Sequence, residues 1–317
     1  MTAPSETPRW RRALSWAFLV GGAGLLVWLV WDAGPATVGA ALLEAGPWVP
    51  LILVFDAGWF VGEVVAHRVL LEDDAERMPL GALVRANLAA FGFVALAPLG
   101  KAGAEIARAL AVARHVGGPR AAAAAANVQA ASLLGNALVS VPCALAVFAT
   151  VGIESVLPWL VVGNGVVTLV LGGSAVVLAR RGRLGDRLAT RFSALELDGP
   201  RIDEALRVRR ATFARAVAAT FGARLSQTVQ YGLLLVAVGG AMSARTALAT
   251  QGVHLVGAGL GDFVPGQLGV VESAYRLFAE SLSLRPAQAV GIGLVARASS
   301  WILASLALAS LALWRRR

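Results

Sequence analysis

The sequence predicts an all-α polytopic membrane protein of about six full spans plus two re-entrant helical hairpins, arranged as an inverted-topology repeat. Three observations carry that prediction: an excess of apolar residues, a segregation of arginine, and two broken apolar stretches that match one another. Of the 317 residues, 57% are hydrophobic and only 15% are charged, with a mean hydropathy of +0.70. An average soluble domain carries roughly 25% charged residues, so a water-facing globule of this composition could not cover itself, and lipid must do so. At about 20 apolar residues per helical span, the chain can supply six spans and still leave shorter pieces. A soluble enzyme, a secreted disulfide scaffold and a disordered chain are excluded. The single cysteine, Cys143, excludes an intrachain disulfide and a thiolate metal cluster.

The first apolar run, Ala13–Trp31, follows Arg9, Arg11 and Arg12 and so resembles a signal peptide. Its length exceeds the roughly 7–15 residues of a signal h-region, and further spans follow, so it reads as an uncleaved first helix. The next full spans are Trp48–Leu71, Ala121–Thr150, Leu157–Ala179, Phe213–Gly240 and Pro286–Trp314. Leu80–Val116 and Thr246–Leu284 are apolar but interrupted by Pro and Gly.

The net charge of +9 comes almost wholly from arginine, Lys101 being the one lysine. It reads as topology rather than as a nucleic-acid footprint. The segment Arg180–Arg210 holds nine arginines against five acids, and short loops rich in arginine stay cytoplasmic. The N-terminus and the tail Arg315, Arg316 and Arg317 agree, whereas Asp32–Pro47 and Val151–Val156 contain no Lys or Arg and face out. Six spans return the C-terminus inside only if each broken stretch enters and leaves on one face. The first hairpin then opens to the cytoplasm and the second to the outside. An eight-span topology with Pro-kinked helices is the alternative.

The two stretches repeat at a fixed offset of 167: Pro98, Glu105 and Pro119 against Pro265, Glu272 and Pro286. Leu88/Leu255, Gly92/Gly259, Ala107/Ala274, Leu110/Leu277, Val128/Val295, Ala131/Ala298 and Ser132/Ser299 extend the match. The organisation is one integral membrane domain, 1–317, with one half at 13–150, the other at 157–314, and a cytoplasmic Arg-rich loop at 180–212. Inverted repeats in transporters place a binding site near the midplane, lined by broken helices, and irregular backbone at that depth needs protein or water around it.

Glu105 and Glu272 are the prime candidate site residues, because a carboxylate in an apolar segment normally faces a cavity and has a partner. Arg108 and Lys101 share a helical face with Glu105, and Arg276 follows Glu272 by four. The plainer reading is that ion bridges hold each hairpin in register. Arg297 lies deep in the last span, where it could hold a phosphate or neutralise Glu272. Asp56, Glu63 and His67 share one face of the second span: a proton relay, or else an interfacial His67 and a bundle-bonded Asp56. Asn127, Gln129 and Asn136 read as interhelical glue or as the lining of a headgroup path. The arginine loop attracts anionic headgroups besides setting topology. No nucleotide-binding, zinc-protease or nucleophile-elbow motif occurs, so no enzymatic activity, cofactor or metal is expected.

Pro98-Leu-Gly-Lys-Ala-Gly103-Ala-Glu105-Ile-Ala-Arg108 resembles the first Pro…Gly-x-Glu-x-x-Arg motif of the lysylphosphatidylglycerol synthetase transmembrane region, the flippase-like family. Pro265-Gly266-Gln-Leu-Gly269-Val-Val-Glu272 is similar to its second motif, Pro-Gly-Gly-Leu-Gly-x-x-Glu. Arg297 falls where that family has a Tyr-Arg pair. Gln267 replaces a glycine, and Gln129-Ala130 stands where a Glu-Arg pair is usual. Bifunctional members add a soluble lysine-transferring domain, for which the three residues after Trp314 leave no room. The resemblance implies movement of a lipid or lipid-linked headgroup between leaflets of the bacterial inner membrane, with aminoacylated phospholipids, polyprenyl-linked sugars and hopanoids among the family's substrates. Two rival readings are a proton-coupled carrier of a small polar solute and a non-transporting partner of a lipid-modifying enzyme.

Overall fold

The computed structural model describes residues 9–96, 100–191, 198–261, 264 and 267–314, with side chains for 20–92, 104–190, 198–261, 264 and 267–309. Among these residues the chain is helical throughout, without a strand. In order the helices are α1 (Arg9–Ala33), α2 (Pro35–Ala45), α3 (Val49–Leu70), α4 (Leu80–Leu96), α5 (Gly100–Val116), α6 (Gly118–Val151) and α7 (Val156–Arg180). They continue as α8 (Gly185–Arg191), α9 (Gly199–Leu206), α10 (Arg210–Ala237), α11 (Ala244–Gly261), α12 (Val270–Leu277) and α13 (Pro286–Trp314).

Four segments are long and apolar enough to cross a bilayer: Pro35–Leu70, Gly118–Val151, Val156–Arg180 and Pro286–Ala309. Two of the six expected spans fall short of that test for different reasons. In α1 the described apolar part is only Val20–Ala33. Helix α10 is long, about 42 Å at 1.5 Å per residue, but it carries Arg215, Arg224, Gln227 and Gln230. Gln227, Gln230 and Tyr231 are buried, so this helix runs inside the bundle, where its neighbours rather than lipid set its composition. Helix α7 is the opposite case: Val166, Val167, Leu169, Val170 and Leu171 each expose more than half their surface, as a lipid-facing helix must.

Helices α3 and α10 form the most extensive pair and run antiparallel. Ser226 Oγ donates to the Phe55 carbonyl at 2.9 Å, while at the other end Ala66 and Leu70 pack on Phe213 and Ala216. Glycines let the axes approach: a Cβ on Gly62 would lie 2.6 Å from that of Ala223, and one on Gly58 would strike Ser226. The other contacts have an exchange pattern. Helix α4 packs on α5 and on α13, and α11 packs on α12 and on α6.

Proline sets several boundaries, since it is tolerated in the first turn. Pro119 follows Gly117 (φ 84°) into α6, and Pro286 follows Ser283 (φ 56°) into α13. The expected breaks fall between α4 and α5 and between α11 and α12. Pro98, Pro265 and Gly266 themselves lie outside the described residues, as do the surroundings of Lys101 and Gly103. Two connections expected as loops are helical. Most of the segment Asp32–Pro47 is α2, which buries Val38, Ala41 and Ala45 and packs on α13. The arginine loop contains α8 and α9, and α9 buries Ile202 and Leu206 against α6.

Candidate functional site

The second broken stretch builds a closed ion pair. Gln267 (φ 55°) and Gly269 (φ 76°) turn the chain into α12, which places Glu272 in the first turn, where the helix dipole favours an anion. Glu272 has no exposed surface. Arg297, from α13, donates Nε to Oε1 at 2.8 Å and Nη2 to Oε2 at 3.0 Å, a two-point fork. Its Nη2 also donates to the Gln267 carbonyl at 3.1 Å. The carboxylate approaches α13 because residue 293 is glycine; a Cβ there would lie 2.9 Å from Glu272 Cγ. Of the two roles open to Arg297, the geometry places it on Glu272. Arg276, four residues after Glu272, turns away to Asp32 of α1 at 2.8 Å.

A polar shell that sequence reasoning missed surrounds this pair. Tyr231 lies within electrostatic reach of Asp56, Arg224, Glu272 and Arg297, shares a 2.7 Å hydrogen bond with His254 Nδ1 and stacks on that ring at 4.4 Å. Tyr275 donates to the Thr250 carbonyl at 3.2 Å. The available signal was the density of polar residues in 224–231, too many for a span that meets lipid.

The first broken stretch differs. Arg108 Nη1 lies 3.4 Å from Glu105 Oε1, one turn away on α5, a pairing within one helix. Beside it is a cavity of about 230 Å³ lined by Glu105, Asn127, Gln129, Ala130, Leu188 and Leu206 among others. Asn127 donates to the Leu206 carbonyl at 3.3 Å. Asn136 accepts from Ser140 through its backbone carbonyl at 2.8 Å.

The α3 row is distributed among four neighbouring helices. Asp56 faces Gln230 and Ser300, Glu63 accepts from Ser132 at 3.1 Å, and His67 Nδ1 lies 3.2 Å from Asn87 Nδ2. His67 is fully buried, covered by α4 through Asn87. Among the described residues, no three His, Cys, Asp or Glu side chains converge as metal ligands.

At one end of the bundle, Arg120 ties three segments together. It donates to the carbonyls of Leu71 at 2.9 Å and Ala205 at 3.0 Å, both near helix C-termini where a cation is favoured, and it pairs with Glu72 and Asp74. Glu72, in the loop after α3, also accepts from the Arg209 backbone N–H at 3.1 Å. Partial burial pushes the Glu72 carboxyl up. The hydrogen bonds from Arg209, Arg120 and Thr212 outweigh it and hold the group below its ordinary range.

A family model described as the lysylphosphatidylglycerol synthase TM region matches residues 14–307. The chain belongs to that family. No curated protein matches it. Membership makes this a membrane protein linked to lipid handling, in line with its apolar helices. Within the lysylphosphatidylglycerol synthase pattern, Gln267 replaces a glycine yet keeps the left-handed conformation that glycine favours.

Proposed function

We propose that the protein moves a lipid or lipid-linked headgroup between the leaflets of a bacterial inner membrane, without chemical conversion of that lipid. The observation that carries this reading is the buried Glu272–Arg297 pair, at the junction of a broken helix and the closing helix in a chain of a lipid-handling family. Family membership alone would fit a lipid-modifying partner; a charged pair within a broken apolar segment favours translocation.

The architecture we infer is six spans and two re-entrant hairpins related by inverted topology, with both termini cytoplasmic. Support comes from the offset of 167, from the antiparallel packing of α3 against α10, and from the exchange of contacts between α4–α13 and α11–α6. In this reading Glu105, Arg108, Glu272 and Arg297 engage the headgroup, and the two hairpins gate opposite faces. A proton-coupled carrier built on Asp56, Glu63 and His67 has less support, because each of these residues is engaged by a different neighbour.

The test is reconstitution in vesicles carrying a labelled phospholipid. Glu272→Gln strands the Arg297 charge and is expected to melt at a lower temperature than the wild type, but to insert and, at a temperature where it stays folded, to slow lipid movement at least tenfold. A stably inserted variant that moves lipid at the wild-type rate overturns the assignment. Protein that moves no lipid but copurifies with one lipid-modifying enzyme favours the partner role.

A further inference from the structure

The cavity beside Glu105 has walls from the bundle and a roof from outside it. Helices α5, α6 and α7 supply the walls, and Leu184, Leu188 and Leu206 close it from the segment that carries α8 and α9. We propose that α8 and α9 form a hinged flap over this cavity, closed in this structure, whose opening admits the headgroup on the arginine-rich side of the bundle. The inference rests on the lipid-translocation reading and names the regulation of that same site.

The two helices of the flap hold each other. Asp203 Oδ1 of α9 accepts the backbone N–H groups of Leu184 at 3.2 Å and Gly185 at 2.8 Å, and a Cβ on Gly185 would strike the Gly199 carbonyl, so the two arms cross in contact. Their faces differ. Ile202 and Leu206 are buried with Ala123 and Ala179, and Leu188 packs on Ala109, Ala122 and Ala125, whereas Arg183, Arg187 and Arg201 are exposed. Besides this apolar contact, α6 holds the flap by two side-chain bonds, Asn127 Nδ2 to the Leu206 carbonyl at 3.3 Å and Arg120 Nη1 to the Ala205 carbonyl at 3.0 Å. Such bonds exchange for bonds to water at small net cost. Both connections to the bundle are irregular, and they meet. Gly182 (φ 63°) follows α7, residues 207–209 separate α9 from α10, and a Cβ on Gly182 would lie 2.9 Å from Arg207 Nη2. Residues at element ends absorb the dihedral changes of a hinge, and two adjacent hinges give one pivot.

The experiment measures how fast a thiol in the cavity reacts with a small water-soluble methanethiosulfonate, on the full-length protein in lipid nanodiscs. Ala125 lines the cavity and is buried, so Ala125→Cys with Cys143→Ala is the reporter. Native Cys143, buried about 27 Å further along α6, is the control thiol in protein that keeps Ala125. Ile202→Ala and Asp203→Ala loosen the flap without altering a residue that lines the cavity. Each is expected to speed reporter labelling at least about tenfold, since local opening governs access, while Cys143 stays unreactive. Unchanged reporter labelling overturns the flap, and so does equal acceleration at Cys143, the mark of general loosening. A lock gives the converse. Ala123 and Ala205 both belong to the contact between α6 and α9, so Ala123→Cys/Ala205→Cys, bridged by oxidation or by a short bis-methanethiosulfonate and verified by intact mass, is expected to hold the flap shut. In vesicles the bridged protein is expected to move labelled phospholipid at least about tenfold more slowly and to recover on reduction. Full-rate movement by bridged protein overturns the proposal. If the unbridged protein moves no lipid, only the translocation reading fails, because the thiol rates judge the flap by themselves.

Discussion

At the residue scale the Glu272–Arg297 pair has the largest consequence for stability. Removing one partner of a buried pair strands the other charge and costs about 3–5 kcal/mol, whereas replacing both with apolar residues of similar volume is often near neutral. Arg297→Ala is therefore expected to lower the thermal unfolding temperature in detergent far more than the double variant Arg297→Met/Glu272→Leu. Equal losses would show that the pair is not the buried unit described. Glu72 gives a pH prediction. Its folded value lies below the ordinary 4.5, so its contribution is complete above about pH 4.5 and lost as pH falls through the lowered folded value. Glu72→Gln should flatten the acid limb of stability in that window and leave the neutral region with a constant offset. Glu105, Glu272 and Arg297 were legible in the sequence because a charge inside an apolar run stands out. The ligation of Arg297 was not, because spacing cannot say that Gly293 admits the carboxylate or that Asp32 draws Arg276 away.

At the element scale the α3–α10 seam sets how closely the centre of the bundle packs. Gly62 faces Ala219 and Ala223 with no room for a Cβ, while Gly21 has nothing within 4 Å. Gly62→Leu should therefore destabilise by about 1–3 kcal/mol through overpacking, and Gly21→Leu should be silent; thermal melts of the two variants in one detergent make the comparison. Helices flanking the broken stretches were readable because Pro and Gly punctuate apolar runs at any depth. Helix α2 was not, because Gly34 and Pro35 ahead of it and Gly46 and Pro47 behind it read as loop, whereas Pro35 and Pro47 occupy first-turn positions of the helical segments they begin. The polar face of α10 lowers its hydropathy for the same reason that it matters: it looks inward on Asp56 and Glu272 through Gln230 and Tyr231.

At the scale of the whole molecule, the inverted repeat makes a prediction that no single helix carries. If the halves are related by an axis in the membrane plane, equivalent turns must lie on opposite sides of the bilayer. The turn before α6, at Gly118, and the turn before α13, at Ser283, are such a pair, each followed closely by the proline that starts the closing helix. Ser283 is exposed, and Gly118 is half-buried at the helix start, so a cysteine at either position is open to a membrane-impermeant maleimide. Cys143 is buried in the core and is replaced first. In oriented vesicles, Gly118→Cys is expected to label from the cytoplasmic side, the side of the arginine-rich segment pinned to Arg120, and Ser283→Cys from the other side. Labelling of both from one face would remove the inverted relation and, with it, the argument that the two glutamates serve alternate gates. The Glu272–Arg297 geometry would survive that result, since it depends on α12, the turn before it at Gln267 and α13, and the protein would then have to move its lipid past one hairpin.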